Sequence, residues 1–277
     1  MIAFADPPTA SAPAQSTGRS IEELTRSVSA SRLNTWLQCR LKFAFRYVHG
    51  IRKPPSSALH VGSVVHAVLQ QWSLARWRRA PLDAGMVKTV FAKAWSEKQT
   101  SEPVRWDEDD KEETVKTAAL KLVEFYLSET PIPVDERPEA VEVGAEADLS
   151  AHGLPKLIGV LDLVRAGGCI VDFKTTGRTP DAGMVRHTTE IQTTAYALLY
   201  REATGRNESG IELHHLVKTK TPKLVVTEIG PAGENQIARL FRATESYVAG
   251  LEREDFVPSP GLQCSSCEFI NECRRWH

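Results

Sequence analysis

Asp162, Asp172 and Lys174 stand in two runs that are otherwise apolar, and their types and spacing set the chemical question. Leu157-Ile158-Gly159-Val160-Leu161-Asp162-Leu163-Val164 is apolar on both faces, as suits a central buried strand. Cys169-Ile170-Val171-Asp172-Phe173-Lys174 follows across a Gly167-Gly168 turn, so two adjacent strands are expected. Side chains alternate along a strand, which puts Asp172 and Lys174 on one face and Val171 and Phe173 on the other. Isolated charges are costly to bury, and a bound cation or mutual pairing is the usual remedy. Two carboxylates and an ammonium group on interior strands therefore point to the core of a metal-dependent nuclease.

Three further sets carry potential chemistry. Gly62 and His66 are one helical turn apart, so the glycine leaves room beside the imidazole, although a single helix histidine is more often a core residue than a ligand. Gln192 and Tyr196 share a helix face and can hydrogen-bond a phosphate or a base edge, or simply face solvent. Cys264-Ser265-Ser266-Cys267 followed by Cys273 offers three thiolates, and Cys39 is the candidate fourth. Four thiolates suit zinc or an iron–sulfur cluster, and spacing alone does not choose. Cys169, inside a strand, is expected to be a buried spectator.

The elements that must position these residues follow from pattern. Ser29 caps a helix through Cys39 that resumes from Arg40 to Tyr47, where basic residues alternate with Phe43, Phe45 and Tyr47. That interleaving suits either a nucleic-acid groove or a half-buried helix. A helix is expected from Ala58 to Trp77, and two more over 83–98 and 107–130, forming an inserted helical subdomain (78–135). The acidic run Asp107 to Asp110 reads as a helix start. Glu139 to Leu149 reads as a strand preceding the central pair, and its Glu139 and Glu142 are candidate extra carboxylates, with solvent-facing residues of an edge strand the favoured reading. A helix over Thr188 to Ala203, a hairpin of Ile211–Lys220 with Lys223–Ile229, and a helix over Ala232 to Leu251 complete the domain. Three lysines around the hairpin bend can touch phosphates or serve a soluble turn.

The chain has 277 residues, 42% of them hydrophobic, a formal net charge of -1 and five cysteines. Residues 1–27 are expected to be a disordered tail, 28–277 one domain, and 258–277 its cysteine-rich tail. No apolar run is long enough to span a membrane and no secretory signal is evident, so a cytoplasmic location is expected. Unevenly spaced cysteines disfavour a disulfide framework. No phosphate loop of an ATPase motor occurs.

Taken together, Ser29-x-Ser31-x-Leu33…Cys39, Gly62…His66, Gly159…Asp162, Asp172-Phe173-Lys174-Thr175, Gln192…Tyr196 and the terminal cysteines resemble the PD-(D/E)XK nuclease superfamily. The order matches its RecB-like branch, which includes AddB-type recombination proteins and CRISPR-associated exonucleases. Leu161 stands where the family pattern has Pro, and Asp172 where others carry Glu. The resemblance implies an α/β fold: a restriction-endonuclease-like mixed sheet flanked by helices, with an iron–sulfur staple joining the N- and C-terminal parts. It implies that His66, Asp162, Asp172 and the Phe173 carbonyl bind Mg²⁺ or Mn²⁺. Lys174 would assist the attacking water, Gln192 and Tyr196 would orient DNA, and Cys39, Cys264, Cys267 and Cys273 would hold a [4Fe–4S] cluster.

The implied activity is metal-dependent hydrolysis of DNA, as an exonuclease on single strands or ends, in repair, recombination or defence. Without an ATPase motor, strand separation would fall to a helicase or to a repair or CRISPR partner. The alternatives are a non-catalytic DNA-binding subunit of a repair complex and a zinc-stapled structural partner.

Overall fold

In the computed structural model, residues 18–108 and 111–276 are described. The two runs that carry the carboxylates form β3 (Lys156–Val164) and β4 (Cys169–Thr176). Gly167 and Gly168 turn the chain between them with φ of 84° and 79°, a region that favours glycine. The remaining strands are β1 (Ser27–Val28), β2 (Ala140–Ala147), β5 (Gly210–Val217) and β6 (Lys223–Ile229), and the six form one mixed sheet. β2 runs antiparallel along β3 from Leu157 to Val164, β5 is parallel to β4, and β6 is antiparallel to β5.

The β3–β4 pair departs from a simple hairpin. Register joins only Leu163 to Val171 and Val164 to Ile170. At the other end β1 pairs in parallel with Lys156 and Leu157. Since β2 fills one edge of β3, β1 and β4 share the other edge at opposite ends. The two strands thus diverge just where Asp162 and Asp172 lie. A second irregularity sits across the same point. Val141 and Leu163 pack with one hydrophobic cluster, whereas Val143 and Leu161 pack with another. β2 and β3 therefore exchange faces at Glu142 and Asp162. Glu142 has φ of 50°, a left-handed conformation that costs a non-glycine residue about 1–3 kcal/mol.

Helices cover both faces. On one, α4 (Ser57–Trp77), α5 (Ala84–Ser101) and α6 (Glu112–Glu129) pack with Leu163, Val171, Phe173 and Leu216. The helices expected as an insertion therefore share a core with the sheet. On the other lie α2 (Ala30–Gln38), α7 (Ala182–Thr204) and α8 (Glu234–Glu252). α7 starts earlier than its apolar periodicity indicates because Asp181 caps it through Met184 N at 2.9 Å. α6 starts later, at Glu112; Asp109 and Asp110 of the acidic run lie outside the described residues.

Two expectations need correction. The tail does not extend to residue 27: α1 (Ile21–Arg26) is closed by a capping box of Ser20 and Glu23, and β1 joins the sheet. Residues 1–17 lie outside the described part. The helix after Cys39 does not continue regularly. A short α3 (Arg40–Phe43) passes into a π-helical turn over Ala44–Val48, and Phe43 and Phe45 are buried. These rings belong to the core, which is the half-buried-helix reading and not the nucleic-acid groove.

α8 meets α2 through Gly250, where an added Cβ would overlap the buried Trp36 indole. Gly250→Ala gains up to about 1 kcal/mol of helix propensity, but overpacking costs about 1–3 kcal/mol. The expected net result is a lower denaturant midpoint with an unchanged slope in an unfolding titration.

Candidate functional site

The divergence of β3 and β4 leaves backbone groups to satisfy. Phe173 lies beyond the last β3–β4 pair, so its N–H and C=O face the gap. The N–H donates to Asp162 Oδ2 at 3.2 Å. The C=O lies 2.6 Å from His66 Nε2, brought in by α4. A carbonyl only accepts, so Nε2 carries the proton in this contact. His66 Nδ1 is 3.5 Å from Asp162 Oδ2. Gly62, one turn earlier, allows α4 its close approach: a Cβ there would stand 3.1 Å from Thr175 Oγ1.

Asp172 emerges on the α7 side and is 2% exposed. Its Oδ1 accepts from Lys174 Nζ at 3.1 Å, Gln192 Nε2 at 3.1 Å and Tyr196 Oη at 3.0 Å. Oδ2 lies 2.9 Å from Lys174 Nζ yet accepts no well-formed hydrogen bond. Burial, reinforced by the charges of Asp172 and Asp162, raises the Tyr196 pKa, so its hydroxyl stays protonated and donates. Burial likewise raises the Asp162 carboxyl; the neighbouring His66 opposes this and the Asp172 charge adds to it.

His66 and Asp162 thus form one pair and Asp172 and Lys174 another, joined through the Phe173 backbone. Gln192 and Tyr196 reach the site by holding Asp172. Among the described residues no three His, Cys, Asp or Glu side chains are grouped so as to hold a metal ion as they stand. The donor types nevertheless fit a hard divalent cation: two carboxylates, an imidazole and a backbone carbonyl. The buried Asp172 Oδ2 keeps a lone pair that no hydrogen bond uses.

Glu142 is the residue that pattern reading discounted. It does not face solvent. Interpolated between Val141↔Leu163 and Val143↔Leu161, it lies opposite Asp162. It is half-buried, and among the described residues its side chain forms no hydrogen bond or ion pair. Burial first, and then the Asp162 charge, raise its carboxyl pKa. The sequence offers Glu139 and Glu142 alike as extra carboxylates, and the β2–β3 register distinguishes them. Glu139, in contrast, pairs with Arg206 at 2.6 Å.

Four of the cysteines lie together elsewhere in the fold. Cys39, Cys264, Cys267 and Cys273 line one pocket with Leu41, Phe45, Phe269 and Pro258. Burial raises the Cys273 thiol, and Cys39, Cys267 and Cys264 add to the shift. Lys42 N lies 3.5 Å from Cys39 Sγ and Gly261 N 3.4 Å from Cys264 Sγ, so backbone donors already face two sulfurs. Thiolate ligation draws on such donors. Ion pairs of Arg40 with Asp255, Arg46 with Glu268 and Lys53 with Glu272 tie the two chain ends together around the pocket. Cys169 stands apart, beside Glu212 and Arg165, and burial pushes its thiol up to about 12.

The family model of the PD-(D/E)XK nuclease superfamily matches residues 27–274. The fold is similar to that of a candidate exonuclease from Eubacterium rectale, with TM-score 0.57 and 15% identity, over 97% of this chain and 94% of that one. SSO0001 is more distant, with TM-score 0.42 and 12% identity over 92% of each chain. No curated protein sequence matches the chain.

The raised Asp162 pKa has a consequence for stability. A group whose folded pKa lies above its unfolded value contributes most below the unfolded pKa, and that contribution is lost as pH rises through the folded one. Asp162→Asn removes the penalty. In metal-free buffer its melting temperature should equal or exceed that of the wild type at neutral pH, with the difference closing near pH 4. A variant less stable than wild type at pH 7 would contradict the assignment of burial as the dominant cause.

Proposed function

This chain belongs to the PD-(D/E)XK nuclease superfamily, and from that premise we propose that it is a metal-dependent deoxyribonuclease of the RecB-like branch, acting on single strands or ends. The nuclease assignment and the restriction-endonuclease-like mixed sheet rest on the family match and the fold. One observation supports the finer reading: His66 and Asp162 hydrogen-bond the Phe173 backbone, and its two sequence neighbours, Asp172 and Lys174, form an ion pair.

Asp162, Asp172, His66 and the Phe173 carbonyl are the residues that would hold Mg²⁺ or Mn²⁺. The ion, when bound, supplies charge neutralisation at the phosphoryl oxygens and a more acidic water. The chain's own contributions are these. Lys174 keeps a cation beside Asp172, where negative charge must gather on the nucleophile. Gln192 and Tyr196 fix the Asp172 carboxylate so that it need not reorganise during reaction; contact of these two side chains with the DNA strand is part of the proposal. Glu142 adds a third carboxylate next to Asp162.

The same proposal gives Cys39, Cys264, Cys267 and Cys273 a [4Fe–4S] cluster. What supports it is the common apolar pocket, the backbone donors at two sulfurs and the thiolate donor set. The cluster would staple residue 39 to the 258–277 tail, and ligation across so long a loop would stabilise the fold. Repair, recombination or CRISPR-linked defence, alongside a helicase, is the setting this reading favours. Among the described residues no helix is long and apolar enough to cross a membrane.

Wild-type protein is expected to degrade labelled DNA with Mg²⁺ or Mn²⁺ and not with chelator. Asp172→Ala and Lys174→Ala should each lower the rate by roughly 10³-fold while circular dichroism stays native. Equal cleavage by all three proteins removes the proposal and leaves the non-catalytic DNA-binding subunit. Linear, end-blocked and circular substrates separate the modes: an exonuclease spares the latter two. Anaerobically purified protein should absorb in the visible and carry about four irons per chain. One zinc in colourless protein would support the structural staple instead.

A further inference from the structure

The hairpin turn between β5 and β6, Lys218-Thr219-Lys220-Thr221-Pro222-Lys223, lies at the rim of the site. Lys218 N donates to Thr176 O at 2.7 Å, which fastens the turn to the end of β4 two residues past Lys174. Two residues of strand span about 7 Å. β4 and β5 are parallel, with Lys174 beside His215, so both strands deliver their C-terminal ends to this rim. The β3–β4 gap opens toward the same end, because its closed side is at Ile170 and Val171. A chain leaving the gap along β4 therefore meets the turn.

The charge there is uncompensated. Lys218, Lys220 and Lys223, together with Arg178 on the β4–α7 loop, form no ion pair among the described residues. No acidic residue occurs from Leu213 to Thr227. The acid nearest in sequence to Arg178 is Asp181, which is engaged in capping α7. Lys220, Lys223 and Arg178 are exposed, and Lys218 is half-buried.

The turn is also preshaped. Thr219 Oγ1 donates to Thr221 O at 2.6 Å, Thr219 N to Val217 O at 3.0 Å, and Pro222 is buried. Leu224 packs on the core beneath. Four cations gathered on one rim, in a chain of net charge -1, suit a polyanion.

We propose that this turn, with Arg178, is the phosphate-binding track that receives single-stranded DNA as it passes the site. The inference rests on the nuclease reading for the direction of the strand, but binding tests it separately from cleavage. Phosphate contacts release counterions, at a slope of about 0.7 per contact on single strands.

Binding of a labelled single-stranded oligonucleotide is measured in chelator across a salt series, for wild type, Lys218→Ala/Lys220→Ala/Lys223→Ala and the corresponding triple Arg variant. The Ala variant should lose about 2 from the slope of log Kd against log salt. In Mg²⁺ its KM should rise at least tenfold with kcat within twofold, and the Arg variant should recover the wild-type slope. An unchanged slope, or a kcat loss with unchanged Kd, overturns the inference. Salt-dependent binding that falls in the Ala variant without any cleavage by wild type would uphold the track and sink the nuclease reading alone.

Discussion

Beyond Val171, β4 has no strand partner on the β3 side, and the Phe173 backbone is left with a donor and an acceptor to satisfy. Buried peptide groups are seldom left unpaired. Here the partners are side chains, Asp162 for the N–H and His66 for the C=O. The same vacancy in the sheet gathers the reactive groups, because a carboxylate and an imidazole are drawn to where a neighbouring strand would have been. The neighbouring Asp172 and Lys174 then fall on the opposite side by strand alternation.

Supporting structure is arranged so that this opening persists. β2 holds one edge of β3 throughout, and β1 holds the far end of the other. From His214, which stands beside Phe173 in the β4–β5 register, buried polar contacts run toward the closed end. Tyr126 Oη is 2.9 Å from His214 Nδ1, His214 Nε2 is 2.9 Å from Glu212, and Arg165 bridges Glu212 and Glu136. The site in turn carries costs. Asp162 and Glu142 are carboxylates held where burial disfavours their charge, and Glu142 adds a strained backbone. Such features persist where the surrounding packing over-determines them and where a ligand or reaction draws on them.

The cysteine pocket shows the other way in which distant sequence is brought together. Its apolar wall, Leu41, Phe45 and Phe269, and the three ion pairs around it join the residues after Cys39 to the C-terminal segment, together with a backbone bond from Leu41 N to Val257 O at 3.2 Å. The π-helical turn at Ala44–Val48 lies in this region, with Phe43 directed to the Trp36 and Tyr247 rings and Phe45 to Phe269.

By itself the sequence determined what local chemistry encodes. The apolar runs of β3 and β4, the glycine turn between them, the Ser and Asp caps, and the Gln192–Tyr196 face are each set by side chains close in the chain. The types and order of His66, Asp162, Asp172 and Lys174 were legible for the same reason. The tertiary structure decided what depends on register and divergence. It brought Glu142 opposite Asp162 across a loop whose length does not fix pairing, and it turned Gln192 and Tyr196 onto Asp172. It also buried Phe43 and Phe45, whose basic neighbours suggested a groove, and structured residues 21–28, too short a segment to show helical periodicity. Periodicity reports which face of an element is apolar, but only packing between elements decides which partner that face or its polar edge will meet.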